Sequence, residues 1–315
     1  MLNPFKLTPI YKDYIWGGKR LRPHAEITAE AWIVSEDNIV TDGNYAGQTL
    51  GKVAELESNA FLGTRVVSKA GNRFPLLIKL LDCSKWLSLQ VHPNNEQAEH
   101  LEGANHFGKT EAWYIIDAEK DSQLISGFHP GVSQKEILQA VGNNKILDLV
   151  ERKNVQSGDT IFIAPGTIHA LGSGMLIYEV QQNSDITYRV YDWDRPMADG
   201  RKLHIKESAS VLNPNSRGEV LPKSLNLPSN PRKKLVSCEF FTLEQIAGYT
   251  GSVEIDFQKT SFSVLTVIKD SVSVCGTDWA YQINPLETLI IPAICGSYWV
   301  KFSSEACVLM SHCAK

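Results

Sequence analysis

The stretch WLSLQVH, residues 86–92, decides the fold. Apolar and polar side chains alternate along it, so a β-strand puts Leu87, Leu89 and Val91 on one face and Ser88, Gln90 and His92 on the other. The same two-residue period runs through EAWYIID (111–117), SQLISGF (122–128), DTIFIAP (159–165), MLIYEVQ (175–181) and DITYRVYDW (185–193). Short strands separated by turn residues build sandwiches and jelly rolls rather than parallel α/β sheets. The expected fold class is therefore mainly all-β: two jelly-roll β domains with short helical insertions. Two insertions can be read directly. NNEQAEHLE (94–102) closes at Gly103, and Ser133 with Glu136 forms a capping box ahead of Ile137, Leu138 and Val141.

Between about 213 and 232, four prolines (Pro214, Pro222, Pro228, Pro231) stand among Asn, Ser and basic residues, a linker composition. The domain boundary is expected there, with residues 1–225 carrying the helical insertions and 233–315 forming a second β domain. Strand patterning resumes in SFSVLTVIKDSVSVCG (261–276) and ETLIIPAICGSYWVKF (287–302). The run T-L-I-I-P (288–292) echoes T-I-F-I-A-P (160–165). The first copy continues to His169, whereas the second continues to Gly296. On this alignment the second domain is a scaffold without a metal.

Composition narrows the functional class. The 315 residues are 43% hydrophobic and 21% charged, an ordinary globular balance able to bury a sizeable core. A net charge of −4 with scattered basic residues argues against nucleic acid as a partner but leaves room for a small anion. The opening MLNPFKLTPIYKDYIWGG lacks a secretory apolar run, and no stretch approaches the roughly 18 apolar residues of a membrane span. A cytoplasmic location without a membrane partner is expected. The six cysteines (Cys83, Cys238, Cys275, Cys295, Cys307, Cys313) include no CxxC pair and read as reduced thiols.

A Gln-x-His pair facing a β interior is costly unless something binds it. Glu111 opens another strand with Lys109 two positions earlier on the same side, and His169 ends GDTIFIAPGTIH (158–169). Gln90, His92, Glu111 and His169 offer an amide oxygen, two imidazoles and a carboxylate, a set that can close around a divalent metal. On the residues alone, structural histidines at strand ends, His100 and His106 as rival ligands, and Glu179 as rival carboxylate remain open.

The segments FPLLIKLLDCSKWLSLQVHPN (74–94), GKTEAWYII (108–116), IFIAPGTIHAL (161–171) and NSDITYRVYDW (183–193) resemble type I phosphomannose isomerases in order and wording. IWGG (15–18) fits the short bacterial form, and the resemblance covers residues from about 15 to 195. It implies two cupin domains, the second metal-free. It also implies one zinc per chain on Gln90, His92, Glu111 and His169, with Arg189 as the active-site arginine. Lys79, Lys109 and Asp185 match other polar residues of that family's pocket. The implied reaction interconverts mannose 6-phosphate and fructose 6-phosphate through a cis-enediol, in a monomer or weak dimer.

Two departures separate the chain from a generic cupin. Glu111 stands nineteen residues beyond His92, across a helix, and Pro165 is displaced by one position in the second motif. Lys109 beside a metal is expected to lose proton affinity and become a usable base. Asp185 and Arg189, four apart on one expected strand, should point the same way. The competing functions are a mononuclear iron or manganese cupin oxygenase and a non-catalytic sugar-binding cupin.

Overall fold

The computed structural model describes residues 2–25, 27–141, 144–195, 201–223 and 231–314; Pro228 of the expected linker lies outside them. The chain packs into two compact units that do not follow a single cut in sequence. One comprises 11–31 and 79–223, the other 1–10, 32–78 and 224–315. Among the described residues, no helix is long and apolar enough to cross a membrane. All six cysteines are free thiols.

The unit built on 79–223 contains a five-stranded antiparallel sheet in the order Tyr188–Tyr191, Leu89–Val91, His169–Leu171, Gln123–Phe128, Val150–Asn154. Opposite it lie Met175–Gln182, Glu111–Ala118, Thr160–Ile163 and Val220–Leu221, antiparallel in that order. Strand alternation gives the five-stranded sheet two different faces. Leu89, Val91, Ile125, Ala170 and Val190 pack against a helical layer through Ile137, Ala140, Val211 and Leu212. Between the sheets, Leu124 and Leu171 meet Trp113, Ile115, Ile161, Ile163 and Ile177. The arrangement is the expected mainly β, jelly-roll class.

The helix Asn95–Glu102 carries a capping box of Asn94 with Gln97, and Gln134–Ala140 carries the expected one of Ser133 with Glu136. Strand lengths differ from the sequence reading. Within 86–92 the strand spans only Leu89–Val91, although the Leu87 N–H still donates to the Leu171 carbonyl at 2.9 Å, and Leu87 joins the inter-sheet cluster instead of sharing a face with Leu89. Likewise the strand expected over 185–193 shrinks to Tyr188–Tyr191, leaving Asp185 in a loop and exposed. The physical reason lies in the loop's own bonds: Ser184 donates to the Phe107 carbonyl, and the Ile186 carbonyl is committed to His92.

The unit containing 231–314 repeats the design. One sheet orders Arg232–Ser237, Phe241–Gly248, Ala306–Cys313, Ser263–Lys269 and Thr288–Ile291; the other orders Gly251–Ile255, Tyr298–Phe302, Val272–Cys275 and Ala280–Ile283. Its inter-sheet core is apolar, with Ile246, Leu265, Val267, Ile291, Val300 and Met310. Residues 32–78 contribute helices Leu50–Leu56, Ser58–Phe61 and Thr64–Ala70, which the period-two reading missed. They join this unit through aromatic contacts: Phe61 lies 5.9 Å from both Phe74 and Phe262, and Phe74 lies 5.0 Å from Phe262.

One charged cluster is buried here. Arg232 forks the Glu244 carboxylate, with Nε 2.5 Å from Oε2 and Nη2 2.9 Å from Oε1, and His312 Nε2 lies 2.9 Å from Oε1. Burial alone would raise the carboxyl's pKa. Hydrogen bonds to His312 and Arg232 outweigh burial and bring it down to about 2. The ionised form therefore stabilises the fold fully above pH 4.5, and that contribution is lost as the pH falls from there toward 2. Glu244→Gln should cost about 1–3 kcal/mol at neutral pH, since it weakens charge-assisted hydrogen bonds. In chemical denaturation, the gap between parent and variant should narrow below pH 4.5. A gap constant from pH 7 to pH 3 would show that the carboxylate charge plays no part.

Candidate metal centre

The site begins with a ladder. Arg189 stands opposite Gln90, and Gln90 stands opposite His169, on three adjacent strands. Directly opposed residues of antiparallel strands share a sheet face, so these three side chains form a row pointing away from the helical layer. His92 follows two residues after Gln90, just beyond the end of that strand at Val91 and before Pro93. From the facing sheet comes Glu111, first residue of its strand and opposite Ile163 and Gln181.

Glu111, His92 and His169 are buried, and their ligand atoms lie within 4.8 Å of one another. Glu111 Oε1 is 3.2 Å from His169 Nε2, and Oε2 is 3.5 Å from His92 Nε2. Gln90 Nε2 is 3.2 Å from His169 Nε2; rotating the amide by half a turn presents Oε1 there instead. Each imidazole has its other nitrogen engaged, His92 Nδ1 with the Ile186 carbonyl and His169 Nδ1 with the Thr167 carbonyl, both at 2.9 Å. A carbonyl only accepts, so Nδ1 carries the proton and Nε2 keeps its lone pair toward Glu111. Burial drives His92 well below the ordinary histidine pKa and His169 to about 4, so both rings are neutral ligands.

Zinc–nitrogen bonds of about 2.0–2.1 Å in a tetrahedron set ligands about 3.3 Å apart. The observed 3.2–3.5 Å separations match that edge. Neither Glu111 oxygen has a well-aligned hydrogen bond, although Lys109 Nζ stands 2.9 Å from Oε2 and 3.1 Å from His92 Nε2. Burial raises the Glu111 carboxyl's pKa against the pull of Lys109. A buried carboxylate answered by a single ammonium and facing two neutral nitrogen lone pairs fits a divalent cation.

Lys79 and Lys109 have different surroundings. Lys79 Nζ is buried 3.2 Å from Glu179 and 3.7 Å from Glu30. Burial would lower its pKa, but Glu30 and Glu179 prevail and raise it, so the ammonium stays charged. Glu179 also accepts from the Trp113 indole at 2.9 Å, and that ring packs T-shaped with His169, their centroids 5.5 Å apart. Glu179 is therefore the counter-charge of Lys79 and lies outside the His92/Glu111/His169 group. His100 and His106, the rival ligands, are exposed.

Asp185 does not share a strand with Arg189, as noted above. Both nevertheless act electrostatically on Tyr14, whose hydroxyl is raised first by burial and then by Glu30. Sequence reading missed Glu30 and Tyr14. Tyr14 directly precedes the IWGG run that carried part of the resemblance.

The second unit answers the same ladder positions differently. Ser263 opens a strand opposite Ile291, as Glu111 does opposite Ile163, and Tyr298 opens a strand opposite Ile255, as His169 does opposite Gln90. Phe257 follows Ile255 by two residues, as His92 follows Gln90. The four ligand positions thus hold Ile255, Phe257, Ser263 and Tyr298, with Tyr298 and Ser263 hydroxyls bonded at 2.7 Å. Tyr298, rather than Gly296, stands where the histidine would be, because a short helical turn, Ala293–Cys295, intervenes.

A double-sheet β barrel with two inward imidazoles and a carboxylate defines a metal-site protein of the cupin class. Residues 4–130 match the phosphomannose isomerase type I catalytic domain. The chain is 32% identical to the mannose-6-phosphate isomerase ManA of Bacillus subtilis over 98% of its own length and 99% of the relative's. A crystal structure of the Bacillus subtilis mannose 6-phosphate isomerase superimposes with a TM-score of 0.86 at 32% identity, covering 99% of each chain. A mannose 6-phosphate isomerase bound with zinc and yttrium shares the fold at TM-score 0.75 and 15% identity, covering 100% of both chains. The chain belongs to the mannose-6-phosphate isomerase family, type I, and is an aldose–ketose isomerase.

Metal analysis of the full chain should find one divalent ion per molecule, and none in His169→Ala. Retention of the ion by that variant would discard His169 as a ligand. A second ion per parent chain would contradict the ladder comparison.

Proposed function

We propose that the chain interconverts mannose 6-phosphate and fructose 6-phosphate through a cis-enediol, with zinc held by Gln90, His92, Glu111 and His169. The observation that carries this reading is the buried His92, Glu111 and His169 group, its ligand atoms within 4.8 Å of one another, in a chain that matches mannose-6-phosphate isomerases end to end. Bound zinc would supply redox-inert Lewis acidity toward the sugar oxygens that gain charge in the reaction.

The chain's own groups divide the remaining work. Lys79, fixed between Glu30 and Glu179, stays an ammonium and serves as a stationary positive charge. Lys109 stands against Glu111 and His92 at the reacting end and is the group placed to move the proton between C1 and C2. The Arg189 guanidinium shares the face of Gln90, and its buried Nε has no hydrogen-bond partner among the described residues, which leaves it a donor for the substrate's anionic groups. Asp185, exposed in the adjoining loop, belongs to the rim.

Turnover of fructose 6-phosphate in deuterated water should place deuterium at C2 of the mannose 6-phosphate formed. Lys109→Met should lower kcat by roughly 10²–10⁴-fold with zinc retained. Near-normal kcat in that variant would remove Lys109 from the proton path. Absence of any mannose 6-phosphate turnover by the zinc-loaded parent would sink the proposed function.

A further inference from the structure

Arg189 lies on Tyr188–Tyr191, the edge strand of the five-stranded sheet. An edge residue has backbone groups that no neighbouring strand satisfies. Here one residue, His204, satisfies both. Its Nδ1 accepts from the Arg189 backbone N–H at 3.2 Å, and its own backbone N–H donates to the Arg189 carbonyl at 2.8 Å. Two residues earlier, the Lys202 carbonyl accepts from Arg189 Nη1 at 3.2 Å. The segment 201–204 thus grips Arg189 by its backbone and by one arm of its guanidinium, while Nε is left without a partner among the described residues.

This strap is pinned at both ends. At one end Arg201 forks Asp192, with Nε and Nη2 each 2.6 Å from a carboxylate oxygen. At the other, the His204 carbonyl accepts from Ser208 at the start of the helix Ile205–Val211. Val211 and the following Leu212 are held in the apolar layer behind the sheet. An imidazole fixed this way can hold the register of Arg189 against Gln90, the next member of the row that reaches His169.

We infer that His204 is a positioning residue: it replaces the missing neighbour strand and sets where the Arg189 guanidinium meets the substrate's anionic group. Burial, and next the Arg189 charge, lower the His204 pKa, which keeps the imidazole neutral and Nδ1 an acceptor. The inference rests on the proposed function for the statement that Arg189 touches substrate; the His204 to Arg189 geometry stands apart from it.

The test is a double-mutant cycle on full-length, zinc-loaded protein with mannose 6-phosphate as substrate, measuring kcat, KM and zinc content for each variant. His204→Ala should lower kcat/KM by about tenfold, the equivalent of about 1.4 kcal/mol of lost alignment. The loss should divide between kcat and KM as it does in Arg189→Ala. In the Arg189→Ala background, His204→Ala should add less than about twofold. His204→Asn places an amide oxygen near the Nδ1 position and should restore most of the loss, whereas His204→Gln, one methylene longer, should not. Full additivity of the two losses overturns the inference, as does an Asn variant no better than Gln.

If the parent protein turns over no sugar phosphate, the proposed function fails but this inference does not. It is then read from hydrogen–deuterium exchange of the peptide spanning 188–191. Exchange should quicken in His204→Ala and return toward the parent rate in His204→Asn. Unchanged exchange overturns the inference. Should His204→Ala fail to fold, the Asn and Gln variants carry both comparisons.

Discussion

A carboxylate sealed from water without a well-aligned donor is the constraint on which the rest of this chain depends. Glu111 is fully buried, and its nearest neighbours are two imidazole nitrogens and one ammonium. A buried charge of one sign costs several kcal/mol unless opposite charge answers it. Burial therefore raises the carboxyl's pKa, while Lys109 opposes that rise. The imidazoles cannot provide the answering charge. Their Nδ1 protons are committed to the Ile186 and Thr167 carbonyls, and burial keeps the rings neutral. Besides the Lys109 ammonium, Glu111 is faced by lone pairs whose atoms lie within 4.8 Å of one another, a donor set suited to a cation rather than to a hydrogen-bond network.

The second barrel shows what the same ladder does without that constraint. Its four corresponding positions carry two apolar side chains and two hydroxyls, and the hydroxyls satisfy each other. No charge is sealed there, so no cation is called for. Its buried carboxylate, Glu244, is fully engaged by Arg232 and His312. One barrel leaves its carboxylate open and the other closes it. The scaffold is common to both, and side-chain chemistry at a few ladder positions separates a site from a core.

How much of this could be read beforehand follows from distance along the chain. Gln90 and His92 were legible because alternation alone assigns them a face, and the structure keeps that assignment over Leu89–Val91. Both capping boxes are local and were equally open to reading, although only the one at Ser133 was noticed. The strand expected at Asp185 failed because its pattern was right while its pairing partners were not. Ser184 and Ile186 spend their groups on Phe107 and His92, far away in sequence. The helices at 50–70 do not follow a two-residue period, and the partner of Phe61 among them, Phe262, lies some two hundred positions later. Nothing local distinguishes Glu30 from any other carboxylate; only its approach to Lys79 does.

The two lysines show why residue type underdetermines role. Both are buried, and both match polar positions of the family pocket. Lys79 sits between two carboxylates that hold its proton, and one of those, Glu179, also orients the indole packed against His169. Lys109 lies against a carboxylate that two imidazole lone pairs also face, and it is the one donor among those three neighbours. Those two imidazoles and Glu111 could hold a divalent cation, which would supply positive charge that Lys109 alone now sets against the carboxylate. The site distributes three glutamates, Glu30, Glu111 and Glu179, unequally between two lysines, two to Lys79 and one to Lys109.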